Sequence, residues 1–331
     1  MNQLLLRPTS FKEFIGQKKL IVTVKAMIDG SLYRNEVLDH ILFYGPPGTG
    51  KTTLASLIGN ELNKKVHYLQ GALLEKKSDV LSVFANVNEN DIVFIDEIHS
   101  INKSVEEIIY NAMEDFKIDI IIGPEGNSKV MRMNLKPFTL IGATTKLNLL
   151  SQPFKDRFGL LARLSQYSNE EIVKILQNSK KKLKVETDNE VLMLLAKYSR
   201  NTPRIANHLL KRAYDFSLKN NQNIIDAKTT YLTFKHLELF DLGLNKEHIE
   251  YLSLLSNSFY DKFVSIDAIS GILNMNKDNL INDIEPYLLY LQLIEKSPRG
   301  RRITTKGVDY LIKNNLNIYT LFINKAKSTT S

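Results

Sequence analysis

The chain has 331 residues, of which 43% are hydrophobic and 24% charged, with a formal net charge of +8 and no cysteine. That length fits about two domains, or three small ones, each able to bury a core without a metal or crosslink. The lack of cysteine excludes disulfide frameworks, thiolate zinc sites, iron–sulfur clusters and cysteine nucleophiles. No signal-peptide-like start and no long uncharged apolar run are present, so a cytoplasmic protein without a membrane span is expected. The positive charge is concentrated: Lys296–Ser331 carries eight basic residues against one acid, Asp309. Such a cluster is the footprint of a nucleic-acid contact or of a solvated tail, and the count alone does not separate them.

In chain order, Ile41–Tyr44 is a short apolar run ending at Gly45, which predicts a strand. Thr52–Leu62 has apolar residues at 54, 55, 57, 58 and 62, the spacing of a helix. Ile92–Ile95 predicts a buried strand, Val105–Phe116 a helix with one apolar stripe, and Phe138–Gly142 another strand. Between the last two, Ile118, Ile120 and Ile122 lead through a Gly/Pro-rich turn to Val130–Met133, which predicts a β-hairpin. Strands alternating with helices argue an α/β domain with a parallel, doubly wound sheet and ligands at the strand C-terminal ends. From Asn169 the pattern is helical only: Glu170–Leu183, Asp188–Ser199 and Pro203–Lys219, a small helical unit ending near Leu244. Helices over Lys246–Phe259, Ser265–Leu273 and Lys277–Leu291 (interrupted by Pro286) follow. Two short strands around Pro298-Arg299-Gly300 complete a winged helix-turn-helix. The expected domains are 1–166, 167–244 and 245–331.

Gly45-Pro46-Pro47-Gly48-Thr49-Gly50-Lys51-Thr52 is a P-loop set between a strand and a helix. Its glycines turn backbone N–H groups toward phosphates, the helix N-terminus adds its dipole, Lys51 neutralises charge and the Thr52 hydroxyl ligates Mg²⁺. Asp96 lies 45 residues after Lys51 at the end of a buried strand and is followed by Glu97. This is a Walker B element: Asp96 serves the metal, and Glu97 polarises the attacking water, making the chain a hydrolase rather than a binder. Thr144 or Thr145, at the end of the Phe138 strand, hydrogen-bonds the γ-phosphate or the water. Arg157, after Asp156, suits bidentate phosphate contact, as does Arg204 at the start of a helix. The six histidines show no ligand-like pairing.

The segments GPPGTGKTTLA, FIDEIHSI, AMEDF, TLIGATT, DRFG, TPRIANHLL and PRGRR together resemble the RuvB family, the bacterial Holliday-junction branch-migration motors of the AAA+ class, from about Leu6 to Tyr310. The resemblance implies a large AAA+ P-loop ATPase domain, a small all-helical lid and a C-terminal winged helix. It also implies hexameric rings on duplex DNA, acting with RuvA, and with a RuvC resolvase, in recombination and repair. Carried over by position, Leu6 and Arg7 flank the adenine, and Gly48, Gly50, Lys51, Thr52 and Thr53 bind phosphates. Glu114, Asp115 and Phe116 belong to the nucleotide site, and Tyr167 and Arg204 are lid-side contacts. Arg157 is the arginine finger that reaches a neighbour's γ-phosphate. Thr145 joins Glu97 and Arg157 in the catalytic set, with ATP and Mg²⁺ as nucleotide and metal. The hairpin Ile118–Leu135 docks on RuvA, so its apolar face is expected to be a partner site rather than core. Lys296, Arg299 and Arg301 contact DNA from the wing. At Lys296 the family usually carries arginine, so charge survives here but the fork geometry does not. Clamp-loader subunits share the P-loop and lid but end in a helical collar. A nucleotide switch would need no Glu97, and a protein-remodelling ATPase would lack the basic C-terminal segment.

Overall fold

Successive side chains of a strand face opposite ways, and in the central strands of this chain both directions are apolar. In β1 (Ile41–Tyr44), Leu42 enters one core while Ile41 and Phe43 enter another. The split recurs in β3 (Ile92–Asp96), with Val93 and Ile95 opposed to Ile92 and Phe94. It recurs again in β6 (Thr139–Thr144), with Leu140 opposed to Ile141 and Ala143. A sheet apolar on both faces must be covered on both. Helices α3 (Lys77–Phe84) and α4 (Lys103–Asp115) close the first face, and α1 (Lys18–Arg34) and α2 (Lys51–Leu62) the second. With β2 (Val66–Gln70) and β7 (Leu160–Arg163) at its edges, the sheet runs β2-β3-β6-β1-β7 and is parallel throughout. The computed structural model describes residues 3–122, 129–219, 223–314 and 316.

Because every strand runs the same way, residues that follow strands share one edge of the sheet and residues that precede them share the other. Gly45, Glu97 and Thr145 therefore meet at the C-terminal edge. His40 marks the N-terminal edge: its Nδ1 accepts from Leu140 N–H at 2.8 Å and its Nε2 donates to the carbonyl of Met113 at 3.1 Å. That pair of bonds ties the last turn of α4 to the end of the sheet opposite the P-loop. There Phe116 reverses the chain in a left-handed conformation (φ 53°) and packs on Phe138 and His40. The chain then enters the antiparallel hairpin of β4 (Lys117–Ile122) and β5 (Lys129–Asn134).

The chain divides into two compact units, Met1–Ala196 with Asn201–Lys211, and Lys197–Arg200 with Arg212–Ser331. Besides the sheet, the first holds the short α5 (Gln152–Lys155), α6 (Asn169–Leu183) and most of α7 (Asn189–Lys197). A Ser168–Glu171 capping box starts α6. Helix α8 (Pro203–Lys219) contributes its first half to this unit and its second half to the other. The second unit also contains α9 (Ala227–His236), α10 (Lys246–Ser258), α11 (Ile266–Leu273) and α12 (Glu285–Tyr290). The strands β8 (Ile294–Ser297) and β9 (Gly300–Ile303) and the helix α13 (Thr305–Lys313) follow. The segment Lys277–Leu291, expected to be interrupted by Pro286, is broken there: a π-helical turn, Leu280–Ile284, precedes Pro286, which has no N–H to continue the ladder. Gly300, at φ 135°, lets the β8–β9 ribbon close on Val264, since a Cβ there would lie 2.2 Å from the Val264 carbonyl oxygen.

The core of the second unit contains one titratable liability. His248 is buried at the start of α10, bonded through Nδ1 to Asn245, and its Nε2 has no hydrogen-bond partner among the described residues. Burial, assisted by the Arg200 charge, pushes it down to about 3. The folded state holds the ring neutral while the unfolded chain protonates near its ordinary value. The stabilising effect of neutrality is therefore complete above about pH 6.5 and is lost as pH falls toward 3. Urea denaturation followed in this unit should show about 2 kcal/mol lost between pH 7 and pH 5 from this group. In His248→Phe the loss should shrink by that amount; an unchanged pH dependence would remove His248 as its source.

Candidate functional site

The P-loop joins β1 to α2 with Gly48 and Gly50 at φ 75° and 107°, a region that side-chain-bearing residues rarely adopt. It is packed as well as bent: a Cβ on Gly48 would come within 2.8 Å of Thr202 Cγ2 and 3.1 Å of Arg204 Cβ. Lys51, 6% exposed, donates from Nζ to the carbonyls of Gly45 and Pro46, both at 2.9 Å. Burial lowers its pKa while Glu97 and Asp96 oppose that shift. A buried ammonium at a helix N-terminus, inside a loop of glycine-freed backbone, is a cradle for polyphosphate. The Thr52 hydroxyl faces Asp96 Oδ2 at 3.5 Å, so the two expected Mg²⁺ ligands stand side by side. Among the described residues no group of three or more His, Cys, Asp or Glu side chains could hold a metal by itself.

One further predicted residue, Tyr167, bonds the loop directly. The buried Tyr167 hydroxyl donates to the Thr49 carbonyl at 2.9 Å, and burial pushes its pKa up so that it remains a donor. Tyr167 braces the loop from behind. Leu6 and Arg7 lie in the N-terminal segment that Lys182 of α6 fastens, donating to the Arg7 carbonyl at 2.8 Å and to Glu13 at 2.9 Å. Arg204 is exposed on the first turn of α8, beside Gly48, and Thr53 follows Thr52 in the first turn of α2.

Glu97 ends the strand in a left-handed conformation (φ 46°, ψ 49°). Its Oε2 accepts from the Thr145 hydroxyl at 3.1 Å and the Thr145 N–H at 3.3 Å. Thr144 is fully buried, and its Oγ1 meets His99 Nδ1 at 2.9 Å and accepts from Lys146 N–H at 3.0 Å. Of the two threonines, Thr145 is the one bonded to the Glu97 carboxylate. His99, given no part by the sequence, stands beside both threonine and carboxylate. Its position two residues after Glu97 is the signal that was available.

The remaining predicted nucleotide residues are elsewhere. Arg157 precedes β7 and so lies at the N-terminal edge of the sheet. Its guanidinium bonds the Tyr110 hydroxyl, stacks over the Tyr110 ring at 4.5 Å, and pairs with Glu114 at 2.9 Å, not with Asp156. Its Nε is buried with no hydrogen-bond partner among the described residues. Glu114, Asp115 and Phe116, expected at the nucleotide, sit at this same edge. The expectation is corrected for the chain's own P-loop: α4 carries them to the far end of the sheet, where Glu114 pairs with Arg157 and Phe116 packs on His40 and Phe138.

The hairpin expectation is corrected in part. Ile118, 1% exposed, belongs to the core under α4, and Met133 and Leu135 pack against that core. Met131, 51% exposed, is available at the surface. The turn 123–128 and the side chains of 120–130 lie outside the described residues.

The wing also sorts its cations. Arg299 is exposed at the β8–β9 turn, and Lys296, within β8, is exposed with its Nζ 3.5 Å from Glu285 Oε2. Arg301 is not: its side chain is 10% exposed and forms a bidentate pair with Glu285 (1% exposed) at 2.6 and 3.2 Å, joined by the Tyr251 hydroxyl at 3.0 Å. The direct DNA contact expected of Arg301 is corrected to an internal one, since removing either partner of a buried pair costs about 3–5 kcal/mol. Both basic residues beyond Lys313, Lys325 and Lys327, fall outside the described residues.

Family models match in sequence along the chain. The Holliday junction DNA helicase RuvB P-loop domain covers residues 6–164, the RuvB AAA lid domain 167–240, and the RuvB C-terminal winged helix domain 241–312. The Holliday junction branch migration complex subunit RuvB of Mycoplasmopsis synoviae is 56% identical over 310 residues, covering 94% of this chain and 98% of the relative. The protein of the same name from Mycoplasmopsis pulmonis is 52% identical, covering 92% and 97%. The solved Thermotoga maritima RuvB Holliday junction branch migration motor superposes with a TM-score of 0.80 at 36% identity, covering 93% of this chain and 98% of that one. P-loop, lid and winged helix thus recur in one order over nearly the whole chain, and the chain belongs to the RuvB family.

Proposed function

We propose that this chain is an ATP-driven motor for branch migration of Holliday junctions in recombination and repair, working in the cytoplasm as a hexameric ring on duplex DNA together with RuvA. The observation that carries this reading is the separation of two half-sites on one sheet. Lys51, Thr52, Asp96, Glu97 and Thr145 gather at the C-terminal edge, and Arg157 with Glu114 lies at the opposite one. A four-residue parallel strand spans roughly 13 Å, so Arg157 serves the P-loop of another copy, not its own. Repeating that head-to-tail relation closes a ring.

In the seam, Lys51 and the loop N–H groups hold the triphosphate, and Glu97 takes a proton from the attacking water while Thr145 orients it. A magnesium ion held by Thr52 and Asp96 supplies neutralisation of the phosphate charge. Arg157 from one side and Arg204 from the other respond to loss of the γ-phosphate. The parts that move are the large domain 1–166, the lid 167–244 and the winged helix 245–331. Lys296 and Arg299 bind phosphates without reading sequence, and Arg301 holds their ribbon on α12 through Glu285. The exposed side of the hairpin around Met131 meets RuvA, and a RuvC resolvase follows at the same junction.

Duplex-stimulated ATP turnover tests the motor against a nucleotide switch. Duplex DNA should raise the rate at low salt, with the stimulation falling steeply as salt rises. Lys296→Ala with Arg299→Ala should remove most of the stimulation and leave the DNA-free rate in place. Equal turnover with and without duplex would sink the motor reading.

A further inference from the structure

The chain turn after the Walker B strand is heavily constrained. Ser100 N–H closes it on the Glu97 carbonyl at 2.8 Å, and Glu97 N–H donates back to Asp96 Oδ1 at 3.1 Å. Gly71 leaves room for it, since a Cβ there would lie 2.4 Å from the Glu97 oxygen. Ile98 is buried in the core, and Glu97 and His99, on either side of it, both turn toward β6. His99 Nδ1 lies 3.2 Å from Glu97 Oε2 and 2.9 Å from Thr144 Oγ1, with the ring only 12% exposed.

A carboxylate only accepts hydrogen bonds, and a bare imidazole nitrogen aimed at it would be repelled. The contact therefore favours a proton on Nδ1, which hydrogen-bonds Thr144 Oγ1 while Glu97 Oε2 stands 3.2 Å away. Burial lowers the ring's pKa and Lys146 adds to that, against the opposing pull of Glu97, which favours the neutral ring. Two hydrogen-bond donors, the Thr145 hydroxyl and the Thr145 N–H, converge on Oε2, and the His99 ring nitrogen bonded to Thr144 stands 3.2 Å from the same oxygen.

We propose that His99 is a positioning residue for ATP hydrolysis: its ring, held on Thr144 in the sheet, stands against the same Glu97 carboxylate oxygen that Thr145 bonds and fixes that carboxylate in place. The inference rests on the reading of Glu97 as the group that activates water. Such second-layer hydrogen bonds act on orientation, so the loss belongs in kcat and not in ATP binding.

The test uses the full chain with ATP and magnesium, measuring turnover, ATP affinity and thermal melting for His99→Ala, His99→Asn and His99→Gln, each also combined with Glu97→Gln. An asparagine amide nitrogen falls near the Nδ1 position, and a glutamine amide falls near Nε2. The alanine and glutamine forms should lose about 10-fold to 100-fold in kcat with ATP affinity within about threefold. The asparagine form should stay within about threefold of the unaltered rate. In the Glu97→Gln background none of the three should matter further. Unaltered kcat in His99→Ala overturns the proposal, as does an equal loss in the asparagine and glutamine forms, which decides the matter even if the alanine form is unstable. Should Glu97→Gln itself hydrolyse ATP normally, the reading of Glu97 fails first, and the two failures are told apart.

Discussion

Glu97→Gln binds ATP as the unaltered chain does and hydrolyses it about 10²-fold to 10³-fold more slowly. The substitution preserves shape and the hydrogen-bonding oxygen that accepts from Thr145, and it removes only the basicity. The elements that bind nucleotide, the glycine loop, Lys51 and the Thr52–Asp96 pair, are separate from it. Removing the Glu97 charge also relieves one of the two carboxylates that support the Lys51 ammonium, so a small change in affinity accompanies the large change in rate. Equilibrium binding of a fluorescent ATP analogue with single-turnover hydrolysis separates the two. A variant with normal turnover would remove Glu97 from the chemistry, and one that failed to bind would make it a structural residue.

Arg157→Ala loses about 10³-fold in turnover and regains part of it when mixed with Glu97→Gln subunits. Each variant is deficient in a different half of the seam. The Arg157→Ala protomer keeps a complete P-loop and Glu97. Its Glu97→Gln neighbour keeps Arg157. In a random equal mixture up to about a quarter of the seams pair an intact carboxylate with an intact arginine. Two nearly inactive proteins therefore produce an active mixture. The Arg157 side chain is held ready for that role by Tyr110 and Glu114, and Glu114→Ala should act in the same direction with a smaller loss. Absence of activity at every mixing ratio would argue against an arginine acting in trans.

Where backbone geometry demands particular residues, the function was legible in the amino-acid pattern. Gly48 and Gly50 occupy conformations that other residues resist, and the P-loop announced itself through them. The apolar runs of β1, β3 and β6 were legible because both their faces are buried. The edge strands were not. β2 mixes His67, Tyr68 and Gln70 among its apolar residues, and β7 ends on Arg163, as partly exposed strands do. Helix α1 escaped notice because its start carries no side-chain cap: Gln17 sits left-handed instead.

The site residues divide similarly. The family resemblance grouped Glu114–Phe116 with the nucleotide site, although helix geometry sets them apart from the chain's own P-loop. The 13 residues of α4 rise roughly 20 Å and carry the chain to the opposite edge. Arg301 was assigned to DNA by the family resemblance, and a matching position does not tell which charges are buried. The clue was Glu285, an acid next to Pro286 in an otherwise apolar helix. His99 was passed over because its partner Thr144 is 45 residues away in the chain and adjacent only once β3 and β6 pair.

The most direct test of the whole account is movement of a synthetic four-way junction, followed as conversion to duplex products with the purified chain, RuvA, magnesium and ATP. The account predicts processive conversion that requires all of these. It predicts none with a non-hydrolysable ATP analogue, and none when Glu97→Gln replaces the unaltered chain. Junctions that dissociate equally well with the analogue, or that stay intact while ATP is consumed at full rate, would contradict it.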